Sequence, residues 1–179
     1  MKLINDNLKK AGYFNAFLTV IAIVLRIFQI VSAPIYVKIE AVICIIALVF
    51  GLFYSLNGYT KDAAKYYKAF IYLYLISSLF ALIGPIFAIL GERNILMIIS
   101  RALVFIAMFV LAFVKDLGEN KSSKLALAIF VINVATLCYG VTSKAIPFII
   151  MHLGNVALSC ILCVFVSAKY ADKKSRGAK

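Results

Sequence analysis

The sequence predicts an all-α integral membrane protein, a bundle of six transmembrane helices, and three observations predict it. Hydrophobic residues make up 65% of the 179 and charged residues only 15%. Soluble chains run at roughly 45–50% apolar and about 25% charged, and one of this size cannot hide so much apolar surface in a water-soluble core. The apolar residues also fall into six stretches, each close to the ~20 residues that cross ~30 Å of hydrocarbon. The basic residues, finally, gather between those stretches in an alternating pattern. A soluble enzyme, a disordered tail and a disulfide scaffold are thereby excluded.

The spans are expected at residues 13–33, 36–56, 70–90, 94–114, 125–141 and 145–168, all within one membrane domain covering 1–179. The first carries Arg26 inside its apolar run and ends near Pro34. Both features argue against a cleaved signal peptide, despite Lys2, Lys9, Lys10 and the Val31-Ser32-Ala33 tripeptide, so an uncleaved span is expected. Turn chemistry separates the spans: Ser32-Ala33-Pro34, Asn57 to Asp62, Gly91 to Asn94, Lys115 to Ser123, and Thr142 to Lys144. The fifth span is the shortest. Residues 169–179 read as a basic cytoplasmic tail.

Charge orients this frame. Lys2, Lys9 and Lys10, then Lys61, Lys65 and Lys68, then Lys115, Lys121 and Lys124, and finally Lys169, Lys173, Lys174, Arg176 and Lys179 form four clusters. The intervening loops carry only Lys38, Arg93 and Lys144. The positive-inside rule then places both termini in the cytoplasm and the protein in the cell membrane. The net charge of +12 is therefore mostly a topology signal, and no nucleic-acid partner is expected. Tyrosines at the expected boundaries suit aromatic belts, but the run from Tyr66 to Tyr74 is denser than a belt requires.

Within the spans, small and polar residues recur at spacings of three and four, which line one side of a helix. Asn15, Thr19, Ala22, Arg26 and Gln29 do so in the first span, and Glu40, Cys44, Ala47, Gly51 and Ser55 in the second. Tyr74, Ser77, Ala81 and Gly84 follow in the third. Ala126, Asn133, Thr136 and Gly140 mark the fifth, and His152, Asn155, Ser159 and Cys163 the sixth. Close helix packing accounts for the small members. A charge at mid-bilayer costs roughly 2.5–3.5 kcal/mol, so the ionisable members should face an interior or a wet cavity. At 1.5 Å per residue, Arg26, Arg101 and His152 lie ~10 Å below the outer boundary and Glu40 ~6 Å. Arg26, Gln29, Glu40, Arg101, His152 and Asn155 are thus the candidate binding residues.

Three roles compete for this group. One arginine pairs with Glu40 while the other snorkels outward or meets a backbone carbonyl; or the group forms an outward-facing cavity for a polar or anionic solute; or His152 or Glu40 acts as acid or base. Two arginines against one buried acid favour the cavity. Catalysis is the weakest reading: no GxSxG, HExxH, paired-Asp or glycine-rich phosphate motif occurs. Neither a metal nor a cofactor is expected. Cys160 and Cys163 spell CxxC in an apolar helix without a second pair, so all four cysteines read as packing residues.

The chain also reads as three related hairpins. Pro34-Ile35-Tyr36, Pro85-Ile86-Phe87 and Pro147-Phe148-Ile149 sit near the three outer turns. On this register Glu40, Arg101 and Asn155 occupy equivalent positions, and such positions converge in repeat transporters. The leading expectation is binding or transport of a small polar or anionic solute. The alternative is an accessory or scaffold subunit that contacts a membrane partner through its helix faces. The lipid bilayer is the surrounding partner in either case.

Overall fold

A computed structural model describes residues 2–32, 35–60, 62–87, 95–114, 117–142 and 146–177. The described residues form six helices: α1 (Lys2–Ser32), α2 (Ile35–Leu56), α3 (Ala64–Phe87), α4 (Ile95–Phe113), α5 (Gly118–Thr142) and α6 (Ile146–Gly177). Each contains a segment long and apolar enough to cross a membrane. Each packs against its neighbours in chain order, and α6 closes back onto α1, so the helices form a ring. Exposed apolar side chains such as Phe14, Phe28, Val31, Leu96 and Ile106 cover the outside, a surface consistent with lipid contact. The expected turns at residues 33–34, 91–94 and 143–144, and the end of the third span at 88–90, lie outside the described residues.

Several helices outrun the expected spans. α1 begins at Lys2, α3 at Ala64 and α5 at Gly118, and α6 continues through the basic segment to Gly177. Hydropathy marks where a helix meets hydrocarbon, not where it stops, and Lys, Arg and Ala extend helices readily in water. The fifth span looked short because Ser122 and Ser123 read as loop. Ser122 is instead buried, with its hydroxyl 3.0 Å from that of Tyr170 on α6.

The turn after α2 shows how local sequence sets the hairpin. Gly58 adopts φ 61° and donates its N–H to the Ser55 carbonyl, while Tyr59 donates to Tyr54. These two bonds are the Schellman closure of a helix C-terminus, with glycine where the left-handed residue falls. The apolar contact that accompanies such a closure is also present: the rings of Tyr54 and Tyr59 meet edge-on at 5.1 Å. Tyr59 is buried, itself left-handed, and donates its hydroxyl to the Ala11 carbonyl of α1.

Aromatic packing fills this end of the ring and accounts for the tyrosine-rich run. Phe165 stands edge-on to Tyr54 and Phe70 at 5.1 and 4.9 Å. Tyr66 packs on Phe50 and Phe53, Tyr67 on Tyr54, and Tyr74 on Phe70. Lys169 lies over the Tyr67 ring. The contacts of Tyr59 with α1 and of Tyr67 with Lys169 bring both chain ends to the same end of the bundle. Polar residues fill the other half.

Candidate functional site

The polar half begins on α1, where one helical turn places Arg26 and Gln29 on the same inner face. Both are fully buried. Arg26 reaches across the ring: Nη1 donates to Gln29 Oε1 at 2.6 Å and lies 3.4 Å from Glu40 Oε1 on α2. Its Nη2 donates to Asn155 Oδ1 on α6. The guanidinium lies against Gly154, where a Cβ would come within 3.0 Å of Arg26 Nε. α6 therefore presents no side chain at position 154, where the guanidinium lies against it.

Arg101 forms a second node. It is 4% exposed. Nη1 donates to Asn133 Oδ1 on α5, and Nη2 lies 3.1 Å from His152 Nδ1 on α6, so one side chain ties three helices. A guanidinium only donates, so Nδ1 is the acceptor and the neutral ring carries its proton on Nε2. Asn133 Nδ2 in turn lies 3.5 Å from the Tyr74 hydroxyl of α3.

All six sequence-predicted residues are thus interior, in two connected sets: Arg26 with Gln29, Glu40 and Asn155, and Arg101 with His152. The structure decides between the arginines. Arg26 is the partner of Glu40. Arg101 does not turn outward: it is buried and, among the described residues, bonds the side chains of Asn133 and His152, because α5 and α6 present those acceptors at its own level. Asn133 belongs to the site although the sequence places it only in a polar stripe, outside the candidate binding group. Its signal was its place in the α5 polar stripe, every described member of which is buried.

Between the two nodes lies a small cavity lined by Glu40, Tyr74, Ser77, Arg101, Asn133 and Asn155, among others. The three positions that the hairpin register equates, Glu40, Arg101 and Asn155, all border it. It leaves about 10 Å³ for the centre of a water molecule, the order of a single water. The site is thus tighter than the open pocket expected from sequence, because the arginine side chains and their amide partners occupy most of the interior. Ser77, on its wall, has its Oγ 2.8 Å from Cys44 Sγ behind it.

The centre is rich in donors. Two guanidiniums face one buried carboxylate among the described residues. Arg26 Nε, Gln29 Nε2 and Asn155 Nδ2 are buried without a hydrogen-bond partner. The amide orientations follow from chemistry, since the oxygens of Gln29 and Asn155 must face the donor-only Arg26. An acceptor or an anion complements such an arrangement. No group of metal-ligating side chains able to hold an ion is found among the described residues.

Gly140 allows the Arg101 node to form. A Cβ there would overlap the His152 ring, so the ring occupies the space that a side chain at 140 would need. Gly140→Ala is expected to destabilise the protein by about 1–3 kcal/mol, the usual range for overpacking. Unfolding monitored by circular dichroism in mild detergent checks this; an unchanged transition would mean that His152 swings aside freely.

No family model, curated protein or solved structure matches this chain.

Proposed function

We propose that this chain is a multi-pass membrane protein that binds the anionic group of a small solute at Arg101, in the half of the bundle away from its termini. The observation that supports this reading is the donor excess: among the described residues, two buried guanidiniums and three unpaired buried donors stand against one buried carboxylate. Burying an uncompensated cation costs several kcal/mol per ion, and a helix bundle without a ligand gains nothing from it. Functional sites are where such costs persist. The one-water cavity suits a monatomic anion or the tip of an oxyanion in the closed state. Passage across the membrane requires the bundle to open, and uphill transport requires in addition a partner or an ion gradient.

Thermal unfolding in phosphatidylcholine nanodiscs tests the reading, with chloride and acetate compared with bulky gluconate at constant ionic strength. Chloride or acetate should raise the Tm of the parent protein and leave Arg101→Met unmoved. Equal responses in both proteins would remove Arg101 from the role.

The proposed orientation places both termini in the cytoplasm, so the centre faces outward. It rests on the sequence alternation of four basic clusters with loops that carry one basic residue each. Lys121 is exposed near the start of α5. In a cysteine-free background, Lys121→Cys is expected to resist a membrane-impermeant maleimide in whole cells and to react after permeabilisation. Reaction in intact cells would invert the orientation.

A further inference from the structure

α4 and α5 are the most loosely packed pair of neighbours in the ring, and α4 is the least buried of its helices. On the outer side of their seam lies a groove of about 310 Å³, lined by Met97, Ser100, Leu103, Ile132 and Thr136, among others. On the inner side, Arg101 of α4 donates to Asn133 of α5 at 3.1 Å. Groove and anion centre are thus separated by the seam that this bond closes. The groove residues Ser100 and Thr136 adjoin Arg101 and Asn133 on their own helices.

The groove surface is apolar in effect. Ser100 donates its hydroxyl to the Met97 carbonyl, and Thr136 to the Asn133 carbonyl, so both turn back on their own backbones. An occupant therefore meets hydrocarbon in the groove and, one side chain further in, a guanidinium with no carboxylate bonded to it among the described residues. We infer that the solute is an anionic amphiphile, a single-chain carboxylate whose hydrocarbon tail lies in the α4–α5 groove and whose headgroup reaches Arg101 when the Arg101–Asn133 bond opens. The inference rests on the anion-binding reading above and names its substrate class. Surrounding lipid is as apolar as the groove, so the tail gains only packing there. Charge at Arg101 supplies the selection, and the loose seam supplies the entrance.

Photolabelling tests this with a dodecanoate bearing a diazirine near its chain end, in phosphatidylcholine nanodiscs, mapped by peptide mass spectrometry. Label is expected on residues 96–103 and 132–139, competed by dodecanoate, by acetate only at far higher concentration, and not by dodecanol. Arg101→Met should lose most of it. So should Ala135→Phe, which fills the groove from an exposed position where the larger ring leaves the core untouched. Label spread evenly over all six helices, equal competition by dodecanol, or labelling that survives Arg101→Met overturns the inference. If chloride or acetate still stabilises the protein through Arg101 while no groove labelling occurs, the amphiphile is wrong and the anion site stands. If no anion acts through Arg101, both fall.

Discussion

Glu40→Gln is expected to lower the unfolding free energy by about 3–5 kcal/mol, the cost of removing one partner from a buried ion pair. Gln keeps the shape of the side chain and one acceptor oxygen but removes the one buried negative charge identified in the polar half of the bundle. Arg26 would keep its bonds to Gln29 and Asn155, yet its charge would stand opposite Arg101 with nothing to offset either. The 3.4 Å separation in the native pair makes the hydrogen bond itself weak. The expected loss is therefore mainly electrostatic, and it should be recovered largely when Arg26 is also neutralised. Arg26→Gln with Glu40→Gln should unfold closer to the parent than Glu40→Gln alone. Equilibrium unfolding in bicelles measures both; a loss below about 1 kcal/mol would mean that the pair behaves as if screened by water.

Arg101→Met is expected to differ in kind. With the binding anion at a hundred times its Kd, the parent gains about 2.7 kcal/mol by mass action, and the variant should gain nothing. Without anion, two effects oppose each other. Asn133 and His152 lose a charged donor, which costs about 1–3 kcal/mol for each acceptor left bare. Removing an uncompensated cation from a buried site returns a comparable amount. Intrinsic stability should therefore change much less than in Glu40→Gln. Unfolding titrations with and without chloride separate the two effects. A variant as unstable as Glu40→Gln, with its chloride response intact, would make Arg101 a structural tie between α4, α5 and α6.

These contrasts mark how far the sequence could be read. Spans were legible because membrane insertion is decided by composition over about 20 residues, and a lone Arg or His in such a run stands out. The inner faces were legible from spacing, and Arg26, Gln29, Glu40, Arg101, His152 and Asn155 are all buried. Partner choice was not legible. Arg26 and Arg101 lie at similar expected depths, and which of them meets Glu40 depends on the order of helices around the ring. Asn133 is one polar residue of a stripe in the sequence, and its role depends on α4 lying beside α5. Gly140 reads as an ordinary small residue of the α5 stripe and Gly154 falls outside the α6 stripe, although each makes room for a side chain of the site, His152 and Arg26. The helix extensions escaped notice because the basic segments change hydropathy without breaking the helix.

Arg101 bonds no carboxylate among the described residues, and anomalous diffraction from crystals grown in sodium bromide shows whether an anion takes that place. Bromide is small enough for a cavity of one-water scale and reports its own position. A peak is predicted beside the Arg101 guanidinium, in the space bordered by Asn133 and Asn155, and it should vanish in Arg101→Met. Crystals that keep the bonds from Arg101 to Asn133 and His152 but show no anomalous density there would contradict the account.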